Sequence, residues 1–314
     1  MLKIPSFCDI HTHGCMGYDF ATATAEQMAV MADFYAKNGI TAVLPTLTAL
    51  KESDYERQIT ALLPFIRDEN CPFVGINLEG PFLAPSKKGA INGDLLCGID
   101  LPLINRLWNL SEGNIKILTV APELDGFDEL CSFAQGKFIL AVGHTTANAQ
   151  TAHNAFAMGA SHVTHLFNAM NPLHHREPNL IGAALASSVT KEIICDGVHL
   201  DETLVKMLFK GFADEMVMIS DSMSATGLND GEYALSGQPV YVKNGKATLE
   251  NGTIAGSCMS LLDDVKTALK WGIDVEKIIH SSSTLPHKIL GITPNHTITL
   301  DDNYNIISVD KKLP

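Results

Sequence analysis

Short apolar runs alternate with amphipathic stretches along most of this chain, and this alternation constrains the fold more than any other feature. Residues 25–37 show the helical type, because Met28, Met31, Ala32 and Tyr35 recur on one face. Apolar strands that alternate with helices are typical of a parallel sheet covered on both faces. The pattern predicts an α/β fold of the (β/α)8 TIM barrel type, with an open doubly wound sheet as the alternative. The eight apolar runs are residues 6–10, 40–47, 73–78, 115–120, 138–142, 160–166, 192–195 and 216–219.

The residues that follow these runs are rich in imidazole and carboxylate groups. Six of the eight runs lead into His, Asp or Glu side chains. Barrel enzymes place their active sites at the carboxyl ends of the strands, so these side chains are predicted to form one site. The predicted members are His11, His13, Glu79, His144, His165, His199 and Asp221.

The pair His11 and His13 is the first indication of a metal site. Residues i and i+2 of a strand point to the same face, so both imidazoles can converge on one ion. Taken alone, the pair fits two polar residues at a strand end equally well. Together with Glu79, His144 and His165 it predicts a divalent metal. Imidazole and carboxylate ligands without thiolate suit Zn²⁺, with Fe²⁺ as the second choice, and leave room for water.

Asp221 is the candidate acid/base. A bound divalent cation lowers the pKa of its water to about 7 and polarises a carbonyl oxygen. A nearby carboxylate can then take the proton of the attacking water and pass it to the leaving group. Asp221 follows the eighth run between Ser220 and Ser222, where a helix N-cap is the alternative interpretation. No dinucleotide fingerprint, phosphate-binding loop or nucleophile elbow competes with this assignment.

Charge and cysteine usage exclude several classes of function. The 314 residues include 22 Lys and Arg against 35 Asp and Glu, a formal net charge of −13. A surface this acidic repels a phosphate backbone, so no nucleic-acid partner is expected. No unbroken apolar stretch reaches the roughly 18 residues of a membrane span, so no membrane partner is expected either. The seven cysteines form no CxxC pair, which suits reduced thiols and a cytoplasmic location.

The final third departs from the repeat. Residues 232–256 are strand-like around Asn244-Gly245, a strong hairpin signal, and predict a β-hairpin insertion after the eighth strand. Residues 294–314 predict a second hairpin in the C-terminal tail. No low-complexity linker marks another domain, so residues 1–314 are expected to form a single hydrolase barrel domain.

Several phrases of the sequence are specific enough to indicate a family. The chain resembles the N-acetylglucosamine-6-phosphate deacetylase family of the amidohydrolase superfamily, over residues 9 to about 260. By that resemblance Glu79, His144 and His165 would bind the catalytic metal, and Asp221 would be the acid/base. His11 and His13 would add a second ion bridged through Glu79. The phrases are LEGPF at 78–82, KKGA at 87–90, GHT at 143–145, THLFNAM at 164–170 and DGVH at 196–199.

The resemblance also implies substrate contacts and a partner subunit. Arg176 would hold a phosphate as a bidentate donor, which is the geometry that phosphate favours. The loop that carries Arg176 would reach across the two-fold axis of a homodimer. The substrate-binding residues implied by the motifs are Ala90, Ile91, Asn168, Ala169, Arg176, His199, Ile254, Ala255 and Gly256.

The implied activity is hydrolysis of a linear amide. The substrate would be N-acetylglucosamine 6-phosphate, giving glucosamine 6-phosphate and acetate in amino-sugar catabolism. The alternatives are the galacto epimer, another amidohydrolase reaction, or a non-catalytic binding barrel.

Two features depart from the family. Only residues 1–5 precede the first run, so the family's β-sandwich is expected to be absent or reduced, and Ile91 stands where some relatives carry a polar residue.

Overall fold

Eight parallel strands pair in chain order around the centre of the protein, in a computed structural model that describes residues 1–311. The first and last strands meet through a parallel bridge between Thr12 and Ser222, where the N–H of His13 donates to the Ser222 carbonyl oxygen at 2.7 Å. The predicted barrel is therefore confirmed. Its strands are Phe7–Thr12, Ile40–Leu47, Ile76–Glu79, Ile115–Val120, Ile139–Val142, His162–Val163, Thr190–Ile193 and Met216–Met218.

Helices connect these strands and cover the outside of the barrel. The first begins at a capping box, in which the Thr24 side chain and Gln27 exchange hydrogen bonds, and it buries Met28, Met31 and Tyr35 as predicted. The α-helices are Ala25–Lys37, Glu52–Ile66, Leu101–Leu110, Phe127–Ala134, Ala149–Ala157, Asn179–Leu185, Glu202–Gly211, Leu261–Lys270, Val275–Ile279 and Leu285–Ile289. Short 3₁₀ turns cover Pro85–Lys87, Gly93–Leu95 and Ala213–Glu215, and a π-helical turn covers His280–Thr284.

The sixth strand is much shorter than its apolar run. Residues 160–166 predict a strand, but only His162–Val163 pair with both neighbours. The backbone of His165 has a φ of 27°, which lies outside the extended region and ends the strand. Leu166 is buried all the same, and its N–H donates to the carbonyl oxygen of Glu192 in the seventh strand at 2.8 Å. The apolar character of residues 160–166 therefore predicted burial correctly, but it did not predict the length of the strand.

The insertion after the eighth strand is a small antiparallel sheet of Gly231–Leu235, Gln238–Lys243 and Lys246–Thr248. Asn244 and Gly245 have positive φ values of 54° and 70°, as the predicted tight turn requires. A second turn at Ser236 and Gly237 was not predicted. It lies over the barrel mouth, where the N–H of Ser236 donates to Asp19 Oδ2 at 2.7 Å.

A second small sheet lies beside the barrel. Strands His296–Leu300 and Ile306–Lys311 form the predicted tail hairpin, of which residues 312–314 lie outside the described residues. Leu2–Pro5 pairs antiparallel with His296–Leu300 as a third strand that the sequence did not predict. The sheet packs closely on the barrel, since a Cβ at Gly39 would lie 2.6 Å from Cδ1 of Ile298.

Within residues 1–311, no helix combines the length and the apolar character that crossing a bilayer requires.

We propose that the chain is one domain, and Ile298 provides the test. Ile298 is fully buried in the same core as Phe7 and Ile40 of the barrel. Ile298→Ala should lower the free energy of unfolding of the whole chain by about 2–5 kcal/mol, in a single denaturant transition. The control is Ile307→Ala, because Ile307 is 54% exposed and should change that free energy by no more than about 0.5 kcal/mol. Separate transitions for sheet and barrel would contradict the proposal.

Candidate metal centre and active site

The carboxyl ends of the strands surround a cavity of about 520 Å³. Most of the predicted site residues line it, whereas His11 and Ala255 are fully buried and do not. The predicted residues on its wall are His13, Glu79, Ala90, Ile91, His144, His165, Asn168, Ala169, His199, Asp221, Ile254 and Gly256.

Glu79, the last residue of the third strand, stands at the centre of this group. Its Oε1 lies 2.9 Å from Nε2 of His144 and 2.9 Å from Nε2 of His165. Its Oε2 lies 3.3 Å from Nε2 of His13. All four side chains are buried. One carboxylate thus contacts imidazoles from the first, fifth and sixth strand ends.

Outer hydrogen bonds decide which nitrogen of each imidazole faces the centre with a lone pair. Nδ1 of His144 lies 2.7 Å from the Lys87 carbonyl oxygen, and Nδ1 of His13 lies 3.3 Å from the Thr46 carbonyl oxygen. A carbonyl oxygen only accepts, so each Nδ1 carries a proton. In the neutral ring Nε2 is then the lone-pair nitrogen, and in both residues that atom points at Glu79.

His11 is held in the same way by a carboxylate. Its Nδ1 lies 3.0 Å from Glu192 Oε2, and its buried Nε2 has no hydrogen-bond partner among the described residues. That Nε2 lies 3.5 Å from Glu79 and 3.6 Å from Asp221. A buried lone pair aimed at two carboxylates is costly unless a cation lies among them.

The residues present therefore fit a metal ion. Nε2 of His144 and Nε2 of His165 lie 3.0 Å apart beside the Glu79 carboxylate, a set of donor atoms that a divalent cation would satisfy. Two groups have ligand atoms within 4.8 Å of one another and share Glu79: His11, His13 and Glu79, and Glu79, His144 and His165. The shared carboxylate allows one ion or two.

The electrostatics of the protein alone indicate the same demand for positive charge. Burial by itself lowers the pKa of His13, yet hydrogen bonds to Asp221 and Glu79 raise that pKa to about 10. Burial raises the pKa of Glu79, but the charges of His11 and His144 hold it well below its ordinary value. The centre is thus strongly negative unless protons or a metal compensate it.

Three of the metal-ligand and acid/base candidates adopt a backbone conformation that L-residues rarely occupy. His144, His165 and Asp221 have φ values of 47°, 27° and 48°. Such residues persist only where the surroundings determine them, and they cluster at functional sites. The backbone of Asp221 is held where the barrel closes. Its N–H donates to the His11 carbonyl oxygen at 3.0 Å, and its carbonyl oxygen accepts from the N–H of Ser257 at 2.7 Å.

Asp221 is placed and charged as a proton acceptor must be. Its Oδ1 lies 3.1 Å from Nε2 of His13, and its side chain keeps 11% of its surface exposed, toward the cavity. Burial raises its pKa, while the hydrogen bond from His13 and the charges of His11 and His13 lower it, with a net decrease. The N-cap alternative is wrong, because no helix begins there.

His199 reaches the cavity from the seventh strand end, and Asp196 orients it. Nδ1 of His199 lies 2.7 Å from Asp196 Oδ2, and Ser257 Oγ donates to the same oxygen at 3.0 Å. Burial lowers the pKa of His199, but the hydrogen bond and the charge of Asp196 outweigh it and raise the pKa. Asp196 thus holds the His199 ring in place on the wall of the cavity.

Arg176 also lies outside the cavity of the single chain, but at the surface of the protein. It is exposed on the loop after the sixth strand, with Nη1 2.7 Å from Nε2 of His175. The cavity wall instead carries Lys87 and Lys88, whose Nζ atoms donate to the carbonyl oxygens of Met170 and Ile91, both at 3.2 Å. Within the single chain, Arg176 does not line the cavity.

Some residues of the site were not predicted. Glu192 holds His11 by a hydrogen bond. Its presence in the apolar run 192–195 was the one sequence feature that could have indicated a buried charge. Leu235 and Thr48 line the cavity without any motif that marks them. Asn251 and Thr253 line it from the loop after the inserted sheet, beside the predicted Ile254.

Comparison with known proteins agrees with this geometry. The model of the amidohydrolase family matches residues 2–311. An N-acetylglucosamine-6-phosphate deacetylase of Bacillus subtilis (strain 168) is 33% identical over 321 residues, which span 98% of this chain and 81% of the relative. An N-acetylgalactosamine-6-phosphate deacetylase of Escherichia coli O157:H7 is 28% identical over 296 residues, which span 93% of this chain and 78% of the relative.

Solved structures extend the likeness to three dimensions. A mutant N-acetyl-D-glucosamine-6-phosphate deacetylase from Mycobacterium smegmatis, in complex with N-acetyl-D-glucosamine-6-phosphate, matches with a TM-score of 0.93 at 29% identity, over 98% of this chain and 85% of that one. The N-acetylglucosamine-6-phosphate deacetylase from Thermotoga maritima matches with a TM-score of 0.90 at 29% identity, over 98% and 87%. The chain therefore belongs to the amidohydrolase family, in the branch of the N-acetylglucosamine-6-phosphate deacetylases.

Proposed function

We propose that this protein is a metal-dependent deacetylase of N-acetylglucosamine 6-phosphate in amino-sugar catabolism. It would release acetate and glucosamine 6-phosphate, in the cytoplasm. The observation that carries the proposal is the convergence of histidine Nε2 atoms on Glu79, next to the ionised Asp221 on the wall of the cavity. The named relatives and the complexed structure from Mycobacterium smegmatis support the substrate.

The metal is Zn²⁺ in this proposal, with Fe²⁺ as the second choice. Glu79, His144 and His165 would hold one ion, and His11 and His13 would hold a second with Glu79. An ion held there would lower the pKa of water toward about 7 and polarise the acetyl carbonyl oxygen.

The protein's own groups would supply the proton transfers and the orientation of the substrate. Asp221 accepts the proton of the attacking water and delivers it to the amine that leaves. His199, held by Asp196, donates to the carbonyl oxygen as negative charge develops on it. The sugar would contact the wall formed by Ala90, Ile91, Asn168, Ala169, Ile254 and Gly256, above the buried Ala255.

The galacto epimer is the second candidate substrate. The Escherichia coli relative that is named for N-acetylgalactosamine 6-phosphate is nearly as similar as the gluco-named ones, at 28% identity. Ile91 is buried on the cavity wall and offers no hydrogen bond to a sugar hydroxyl. A non-catalytic barrel is disfavoured, because every predicted metal ligand is present and converges.

An acetate-release assay tests the reaction. The purified protein is given each 6-phosphate epimer, with and without a chelator. We expect release from the gluco epimer that the chelator abolishes and added Zn²⁺ restores. Faster release from the galacto epimer would support the second candidate, and no release from either would contradict the proposed function.

Asp221→Asn should keep the metal and lose turnover. The substitution preserves the shape of the side chain and removes the proton acceptor, so kcat should fall by about 10²–10⁴-fold. Asp201→Asn is the control, because Asp201 is an exposed N-cap of the helix Glu202–Gly211 and its substitution should leave kcat unchanged. Retention by Asp221→Asn of more than about a tenth of the wild-type kcat would show that Asp221 is not the base.

His165→Ala and Glu79→Ala should both lower the bound metal, since each removes one of few ligands. His11→Ala should lower it less if its group holds the secondary ion. Elemental analysis of the purified variants measures the effect, with His153→Ala, at an exposed helix position, as the control. Unchanged metal in both the Glu79 and the His165 variant would refute this ligand set.

We propose that Arg176 contacts the substrate phosphate in the site of the neighbouring subunit of a homodimer. Arg176→Ala should then weaken the use of the phosphorylated substrate. The loss of a charge-assisted contact should raise KM for the 6-phosphate by a factor equivalent to about 1.5–3 kcal/mol. Activity on the unphosphorylated sugar should hardly change, and Arg57→Ala, a surface change on the second helix, should alter neither.

Mixing two variants that are each impaired on the 6-phosphate substrate separates a contact within the subunit from one across the dimer. Hybrids of Arg176→Ala and Asp221→Asn would hold one site with both residues intact, so partial recovery of activity is expected. Hybrids that form and recover nothing would show that Arg176 does not act across the interface.

A further inference from the structure

Glu192 is a buried carboxylate that the proposed reaction does not use. It lies in the middle of the seventh strand with no exposed surface. A carboxylate buried inside a barrel is costly unless hydrogen bonds satisfy it. Both of its oxygens are satisfied, and the partners are histidines that belong to or adjoin the metal centre.

The first partner is the ring of His11. Glu192 Oε2 accepts from Nδ1 of His11 at 3.0 Å, so the ring proton is held on the far side from Glu79. The ring then presents Nε2 to Glu79 and Asp221 as a lone pair. A carboxylate partner of this kind fixes the tautomer and orientation of a ligating imidazole and raises its basicity.

The second partner is the backbone of His165, a residue of the other candidate group. The N–H of His165 donates to the same oxygen, Oε2, at 2.9 Å, at the point where φ is 27°. The hydrogen bond supports this unusual conformation and keeps the His165 ring over Glu79. One oxygen atom thus joins a ligand of the first group to a ligand of the second.

The third partner keeps the carboxylate in place. Glu192 Oε1 lies 3.1 Å from Nε2 of His162, whose Nδ1 lies 2.6 Å from Thr190 Oγ1. His162 and Glu192 lie on neighbouring strands and are both fully buried. The side chain of Glu192 therefore has little freedom to turn away from His11.

We propose that Glu192 is a positioning residue that makes the group of His11, His13 and Glu79 able to hold a second divalent ion. This inference rests on the metal dependence of the proposed function, and concerns the number of ions and their affinity. Removal of the charge at Glu192 should weaken the ion held through His11 and spare the ion held by Glu79, His144 and His165.

The test is a zinc-binding isotherm. Wild-type protein and Glu192→Gln are stripped with a chelator and dialysed to equilibrium against buffered free Zn²⁺, and bound zinc is counted by elemental analysis. We expect two equivalents in the wild type. In Glu192→Gln one equivalent should bind as before and the other about 10–100-fold more weakly.

Three further variants make the result specific. The isotherm of Glu192→Gln should match that of His11→Ala and differ from that of His144→Ala. Glu123→Gln is the matched control, because Glu123 accepts from the N–H of Thr146 at 2.6 Å close to His144 and contacts no candidate ligand. It should bind both ions as the wild type does.

Two results would overturn the proposal: two ions bound by Glu192→Gln with wild-type affinities, or a wild-type protein that saturates at one. If the amide variant unfolds, Glu192→Asp keeps the charge on a shorter side chain and should show the same loss of the second ion. Unchanged binding of both ions by Glu192→Asp would then overturn the proposal. A wild type that binds two ions and releases no acetate would refute the proposed reaction alone.

Discussion

The convergence of imidazole lone pairs on one buried carboxylate is the constraint on which the rest of this site depends. Glu79 lies within 3.5 Å of four histidine Nε2 atoms, and three of those rings have their protons held on Nδ1 by Lys87, Thr46 and Glu192. Acceptors that face one another in a buried place destabilise the fold unless a cation joins them. The arrangement makes physical sense as a metal centre.

The barrel offsets the free-energy cost of this convergence. Left-handed backbone at His144, His165 and Asp221 costs on the order of 1–3 kcal/mol each, and the neighbouring strands hold it in place. Closure between Thr12 and Ser222 brings the first and last strands together, and so sets Asp221 beside His13. The large core of the barrel can offset this strain, whereas a smaller fold buries a smaller fraction of its surface and gains less stability from it.

The sequence predicted the barrel and most of its site because both follow from a local pattern: apolar runs, six of which lead into His, Asp or Glu. It missed Glu192 because the partners of a buried charge come from distant strands that closure brings together. The length of the sixth strand was overestimated, because His165 is buried although its backbone is no longer extended. Leu2–Pro5 was missed because four residues show no periodicity, and their pairing partner lies almost 300 residues away. Arg176 was taken from a motif, and it lies outside the cavity of the single chain.

Anomalous diffraction at the zinc edge, from crystals grown with Zn²⁺, tests the central claim most directly. We expect an anomalous peak bound by Nε2 of His144, Nε2 of His165 and the Glu79 carboxylate, at about 2.0–2.2 Å from each. A second peak should lie against Nε2 of His11 and Nε2 of His13. A centre without any peak, or an ion bound through Nδ1 of these rings, would contradict it.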